Sequence, residues 1–154
     1  MTDKLNAMNN TPETLEQSIT LLSADYLDDN SVKSGNKAWV APITYDNEGN
    51  PTVMTDERKF GGDIYQLLDD AGKEIATSHD EIVVYTCGWA APVGEDDDVA
   101  PSQHPQRVRV GLLVLVTKSG LLCSAMKKQG DEEIIIVGDE GRGLLADTIK
   151  ALWS

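Results

Sequence analysis

The strongest structural signal in the sequence is a series of four strand-like segments in its second half. From Glu81 onward, hydrophobic residues recur with a period of two, which places alternate side chains on the two faces of a β-strand. The predicted strands span residues 82–89, 107–117, 121–127 and 132–137. The last two connections are short and contain glycine, as tight turns between antiparallel neighbours do. The pattern therefore predicts a four-stranded antiparallel meander.

The segment 107–117 is the longest of the four and carries hydrophobic residues on both faces. One face consists of Val108, Val110, Leu112, Val114 and Val116. The other face begins with two arginines and becomes apolar at Leu113 and Leu115. A strand with two apolar faces needs cover on both sides. We therefore expect it near the centre of the sheet, with other elements packed against both faces for part of its length.

A helix and a β-hairpin are predicted before the meander. Thr11 and Pro12 form a helix start, with a capping residue followed by proline at the first helical position. Apolar residues then follow at steps of four, three and four, which places them on one helical face: Leu15, Ile19, Leu22 and Tyr26. After a polar linker, two extended segments at 38–45 and 51–55 flank a turn rich in Asp, Asn and Gly, which favours a hairpin.

Two further helices are predicted on either side of the meander. The first follows Asp63, which has the capping-box spacing with Gln66. Its apolar face consists of Ile64, Leu68, Ala71 and Ile75. Gly72 within it costs about 1 kcal/mol relative to alanine, so this helix depends on packing. The other helix covers residues 144–153, and its expected buried residues are Leu145, Ile149 and Leu152.

Together these elements predict an α+β fold. The antiparallel sheet consists of the meander and the preceding hairpin, and about three helices pack on it. A chain of 154 residues has the usual length of one domain. We expect a single domain over residues 1–154, with a disordered start at 1–10 and a long acidic loop at 91–106.

The chain is strongly acidic, with 13 basic and 26 acidic residues and a net charge of −13. Such a charge repels nucleic-acid phosphates and anionic membranes, so we expect direct binding to neither. Negative charge also keeps a cytosolic protein soluble. The sequence begins without a signal-peptide pattern and contains no apolar run of about 20 residues. We therefore expect a cytoplasmic protein, most simply one whose partner is another protein, and leave its oligomeric state open.

No cofactor or metal is expected from the motifs. Cys87 and Cys123 are too few for a disulfide framework, and their apolar surroundings predict buried, reduced thiols. Together with His79 and His104 they have no zinc-ligand spacing. The glycine-containing segment 138–143 matches neither the dinucleotide fingerprint nor the P-loop.

The least typical segment is the acidic loop at 91–106, since long loops without regular structure are often functional. Cys87 and His104 lie near its two ends and are the only pair that can form a thiolate with its base. The weak catalytic candidates are Cys87, Ser102 and His104, and the binding candidates are Trp89, His104, Arg107 and Arg109. No third residue that would orient the base is evident.

One block of this region resembles an uncharacterised family of actinobacterial proteins. The block comprises Gly88-Trp89-Ala90-Ala91-Pro92, an acidic spacer, and His104-Pro105-Gln106-Arg107 leading into a hydrophobic strand. The resemblance covers part of the chain only. The family has no known activity, so the resemblance assigns no functional residue and indicates only where a site would lie.

Three functional hypotheses follow. The first is a small acidic binding or regulatory module that acts through protein contacts, without enzymatic activity. The second is a small enzyme built around residues 87–109, which would gather Ser102, His104 and the arginines at one concave pocket. The third is an acidic mimic of nucleic acid, which would present a continuous acidic face with the spacing of phosphates.

Overall fold

The computed structural model describes residues 12–27, 38–90, 108–137 and 144–153. Three helices lie within these ranges. Helix α1 is Pro12–Tyr26. Helix α2 consists of Ile64–Leu67, a π-helical turn at Leu68–Gly72, and Lys73–Ala76. Helix α3 is Leu144–Lys150 and continues as a 3₁₀ turn, Ala151–Trp153.

Within the same ranges, seven strands form one antiparallel sheet. They are β1 Ala38–Tyr45, β2 Pro51–Val53, β3 Lys59–Gly61, β4 Glu81–Ala90, β5 Val108–Thr117, β6 Leu122–Lys128 and β7 Ile134–Val137. Their order is β2-β1-β4-β5-β6-β7, and β2 and β3 pair with different halves of β1. A short 3₁₀ turn, Thr55–Glu57, connects β2 to β3.

The predicted α+β class, the hairpin and the meander are confirmed. The β1–β2 hairpin closes at the predicted Asp/Asn/Gly turn. There the carboxylate of Asp46 accepts hydrogen bonds from the backbone N–H groups of Glu48 and Asn50, both at 2.9 Å. These bonds, that from Asn50 foremost, hold the pKa of Asp46 below its ordinary value. Gly49 adopts φ 83°, a left-handed conformation that glycine adopts without strain.

Strand β3 was not predicted from the sequence. It has three residues, too few for a period of two to be visible, and its pairing partner lies about 20 residues earlier. Phe60 of β3 pairs with Trp39 of β1. Such a pairing depends on tertiary contacts rather than on local pattern.

Helices cover both faces of the sheet. Helix α1 packs on one face, the α1 face, where its buried residues Leu15, Ile19 and Leu22 join Val83, Leu113, Leu115 and Cys123 of the strands. Helices α2 and α3 pack on the other, the α2/α3 face, where Leu68, Ile75, Ile149 and Leu152 join Val40, Ile82, Val84 and Val116. The buried faces predicted for the helices are therefore confirmed at these positions.

The position of Gly72 shows that helix α2 depends on packing against α3. It is buried in the π-helical turn, and a Cβ atom there would lie 3.1 Å from Leu152 Cδ2 of α3. The glycine thus lets α3 approach α2 closely. Packing against α3 offsets the low helix propensity of glycine, as the sequence indicated.

Strand β5 lies near the centre of the sheet, as predicted. Residues 110–116 pair with β4 on one side and with β6 on the other. Leu113 and Leu115 face α1, whereas Val114 and Val116 face α2 and α3.

We expect the backbone amides of residues 110–116 to exchange with deuterium more slowly than those of any other strand. Opening them requires the loss of two ladders and, at residues 113–116, of both apolar layers, so their exchange should approach the global unfolding limit. Strand β7, which pairs with β6 alone in the described part of the chain, should exchange faster. Amide exchange followed by mass spectrometry or NMR measures this directly. Fast exchange across 110–116 would contradict the central position of β5.

Several predictions fall outside the described residues. These are the disordered start at 1–10, the cap Thr11, the acidic loop at 91–106 and the turn at 138–143. None of the described helices is long and apolar enough to cross a membrane.

Candidate functional site

The candidate region at residues 87–109 begins in the last part of β4 and ends in the first part of β5. Trp89 pairs with Arg109, and Cys87 pairs with Gly111, in the antiparallel ladder. The ladder places these positions on the α1 face, in two neighbouring rows. Ser102, His104 and Arg107, the remaining candidates, lie outside the described residues.

Cys87 is half-buried rather than buried, which corrects the prediction for this thiol. The physical reason is its partner across the ladder: Gly111 has no side chain to cover the sulfur. The Sγ atom lies 2.7 Å from the hydroxyl oxygen of Tyr85. Cys123 is buried, 1% exposed, as predicted, and neither thiol is in a disulfide bond.

The described histidine is far from Cys87. His79 precedes β4, and its Nε2 atom lies 3.4 Å from Glu57 Oε1. Its backbone oxygen accepts a hydrogen bond from the indole of Trp153 at 2.9 Å. Strand β4 begins at Glu81, and Cys87 lies roughly 20 Å further along it at ~3.3 Å per residue. His79 is therefore not positioned to act as a base for this thiol.

The two thiols should differ in reactivity. We expect iodoacetamide to alkylate Cys87 at least about tenfold faster than Cys123 in the folded protein, because exposure limits access to the sulfur. Peptide mass spectrometry over a time course measures both rates in one sample. In urea the two rates should converge. Equal rates in the native state would show that the cover over Cys87 is as complete as that over Cys123.

An aromatic cluster occupies the α1 face where β1, β3 and β4 meet. The ring of Trp39 stacks on Tyr85 at 5.7 Å and meets Tyr26 of α1 edge-on at 5.3 Å. The Arg58 guanidinium carbon lies 5.2 Å from the Trp39 ring centre and 4.9 Å from that of Phe60. Arg58 Nε is buried and has no hydrogen-bond partner among the described residues. Ring contacts therefore hold this cation in place.

A strip of apolar side chains lies on the opposite face, where it begins at Leu112, which packs against the α2/α3 core, and continues beyond that core. We call it the apolar strip, and it consists of Val108, Val110, Leu112, Met126 and Ile135. The first three alternate along β5, Met126 pairs with Leu112, and Ile135 pairs with Met126. Val108 and Ile135 are 38% and 39% exposed, and the other three are half-buried. The strip therefore runs across three strands from β5 to the edge strand β7.

A second surface feature is an open groove of about 440 Å³ between α2 and α3. Leu68 and Leu152 form its apolar walls, and Asp69, Lys73 and Asp147 lie on its rim. Lys73 is paired with Asp69 at 2.8 Å. Among the described site residues, neither Cys87 nor Arg109 lines this groove.

The apolar strip was not predicted as a binding surface, although two features of the sequence indicate it. The alternation over 108–116 predicts one continuous apolar face and does not distinguish its buried part from its exposed part. The four successive aliphatic residues of β7 were a second signal. They make both faces of the last strand of the meander apolar, and the last strand of a meander lies at an edge unless another element covers it.

In the described ranges, no group of three His, Cys, Asp or Glu side chains is placed to hold a metal ion. No family model matches the chain, and neither the curated proteins nor the solved structures provide a match. The resemblance to the actinobacterial family remains a prediction.

Proposed function

We propose that this chain is a cytoplasmic, non-enzymatic module that binds another protein through the apolar strip. The observation that supports it most directly is the exposure of Val108 and Ile135 at the two ends of the strip. Contiguous apolar surface of this kind is costly to leave in water and typically marks an interaction site. Leu112 and Met126 between them provide the half-buried centre that interface hot spots require.

The extent of α2 and α3 accounts for the strip. Their core residues contact the half of the sheet that contains Ile82, Val84 and Val116. The strip belongs to the same face but lies along the other half of β5, beside Thr86 and Gly88 of β4. A partner placed there would complete the layer that the two helices begin.

Electrostatics favours a protein partner over nucleic acid. The net charge of −13 repels nucleic-acid phosphates at long range. The same charge raises the association rate with a partner that carries basic residues.

The enzyme hypothesis has less support from the described residues. Cys87 and Arg109 lie on the α1 face, whereas the groove lies between α2 and α3 on the other side of the sheet. The Tyr85 hydroxyl lies 2.7 Å from the Cys87 thiol, and a phenol is not the imidazole or carboxylate base that usually activates a nucleophilic thiol.

The test is a matched pair of charge insertions at exposed apolar positions. Val108→Glu places a carboxylate in the strip, and Leu21→Glu places one on the solvent side of α1, where Leu21 is 50% exposed. Both variants change the net charge equally. Each is used with the wild type to capture partners from the native host, with quantitative mass spectrometry and chemical cross-linking.

We expect wild type and Leu21→Glu to recover the same partner in similar amounts, with cross-links to β5–β7, and Val108→Glu to recover it about tenfold less. Burying an unpaired carboxylate in an interface costs more than ~1.4 kcal/mol of binding free energy, which corresponds to a tenfold weaker affinity. Circular dichroism and urea unfolding confirm that both variants fold. Full recovery by Val108→Glu, or equal loss by both variants, would refute the proposal.

A further inference from the structure

The two edges of the sheet differ in a way that bears on how a partner binds. At one edge, β2 and β3 have three residues each, with Pro51 in the first and Lys59 in the second. Short strands, proline and lysine are the features that block the addition of another strand. At the other edge, β7 is Ile134-Ile135-Ile136-Val137, without proline or charge. One edge is protected, and the other has the composition of a strand that accepts a neighbour.

The outer side of β7 is open in the described part of the chain. Its pairing runs from Lys127↔Ile134 to Ser124↔Val137, all with β6. In an antiparallel ladder, alternate N–H and C=O groups of an edge strand point away from the sheet. Those groups offer hydrogen bonds to an additional strand. Because Ile135 belongs to the apolar strip, a strand added to β7 would extend the strip by one more row.

The charge beside β7 selects the kind of segment that fits. Between Lys128 and Glu133 the chain carries one basic and three acidic residues. Asp131, Glu132 and Glu133 are all exposed at the start of β7. Lys127 is buried and donates to the backbone oxygen of Asp131 at 2.6 Å, so its side chain points into the turn rather than outward. The excess of carboxylates attracts a basic flank and repels a second copy of this acidic chain.

We propose that the partner docks as an extended segment that adds a strand to β7, with alternate aliphatic side chains over the apolar strip and a Lys- or Arg-rich flank against Asp131, Glu132 and Glu133. This inference rests on the proposed function and specifies its mode. Main-chain hydrogen bonds to β7 provide affinity, as in other strand-addition complexes. The aliphatic side chains and the basic flank provide selectivity.

The probe is a synthetic peptide, acetyl-Lys-Lys-Val-Thr-Ile-Thr-Val-Lys-amide, titrated into the full chain at low ionic strength. Two control peptides separate the contribution of the basic flank from that of the main-chain hydrogen bonds. One carries Glu in place of every Lys, and the other has N-methylated central amides that cannot form the ladder. Fluorescence anisotropy gives the affinities, and amide exchange reports which strand is protected. A charge-reversed protein, Glu132→Lys with Glu133→Lys, tests the flank directly, since both side chains are exposed.

We expect the Lys-flanked peptide to bind about tenfold more tightly than either control and to slow exchange in β7. The charge-reversed protein remains acidic overall, so it should lose much of its preference for the Lys-flanked peptide without inverting it. The proposal is overturned if the N-methylated peptide binds equally well, if the charge preference is the same in the charge-reversed protein as in the wild type, or if no peptide binds. It is also overturned if sedimentation shows a dimer protected at β7, because the occupant would then be a second copy.

These outcomes are separable from those of the proposed function. Loss of native partner by Val108→Glu, together with failure of every peptide, would leave a partner on the apolar strip and eliminate strand addition. Retention of the native partner by Val108→Glu would eliminate the proposed function itself.

Discussion

Replacing Leu22 with alanine is expected to lower the free energy of unfolding by about 2–5 kcal/mol, whereas replacing its neighbour Leu21 should change it by about 0.5 kcal/mol or less. Leu22 is 2% exposed in the layer between α1 and the sheet, and Leu21 is 50% exposed on the solvent side. Both lie within α1, so the helix-propensity contribution is nearly the same in the two variants. The difference between them therefore measures how much burial of α1 stabilises the fold.

Urea unfolding of the two variants measures this difference. Total stabilities of domains are about 5–15 kcal/mol, so the loss at Leu22 should move the midpoint far to lower urea. The slope with urea should stay close to that of the wild type, which shows that the unfolded state is unchanged. Similar losses in the two variants would mean that α1 does not pack on the sheet through the predicted face.

The fold class could be predicted because local pattern determines most of its elements. In α1, the steps between Leu15, Ile19 and Leu22 match the helical period, and all three side chains are buried. In β5, alternation assigns Leu113 and Val114 to opposite faces, and they belong to the two different core clusters. A side chain that must be buried imposes its period on the chain locally, so it can be recognised without the rest of the fold.

Pairings between distant segments were not predictable in this way. Val40 of β1 pairs with Val84 of β4, although β3 and α2 lie between these two strands in the sequence. Nothing local in either strand specifies that partner. The aromatic cluster has the same origin, since Tyr26, Trp39 and Tyr85 come from three separate elements. Its formation depends on where β1 inserts next to β4.

The apolar strip shows a related limit. Val108 and Val110 continue the same alternation as Val114 and Val116, so the pattern predicts one continuous face. Cover for that face depends on how far α2 and α3 extend over the strands, which is a matter of tertiary arrangement. The helices bury Val114 and Val116 but leave Val108 exposed. Sequence alone therefore identified the apolar residues without distinguishing core from interaction surface.

Replacing Trp39 with alanine should cost about 3–5 kcal/mol of stability, among the largest effects of any single substitution in the chain. Trp39 is buried, and its ring is in contact with Tyr26, Tyr85 and Arg58. Aromatic pairs contribute about 0.5–1.5 kcal/mol beyond the area they bury, and a cation over a ring adds about 0.5–2 kcal/mol. All these contributions are lost together with the indole, and a cavity is left between α1 and the sheet.

Two comparison variants make the prediction specific. Trp39→Phe keeps an aromatic ring between the two tyrosines and should recover a substantial part of the loss. Phe60→Ala removes the other ring against Arg58, but at 55% exposure it should cost about 1 kcal/mol or less. Urea unfolding provides all three values. If Trp39→Ala cost no more than Phe60→Ala, the aromatic cluster would not stabilise the α1 face, and the packing of β1 beside β4 would need another explanation.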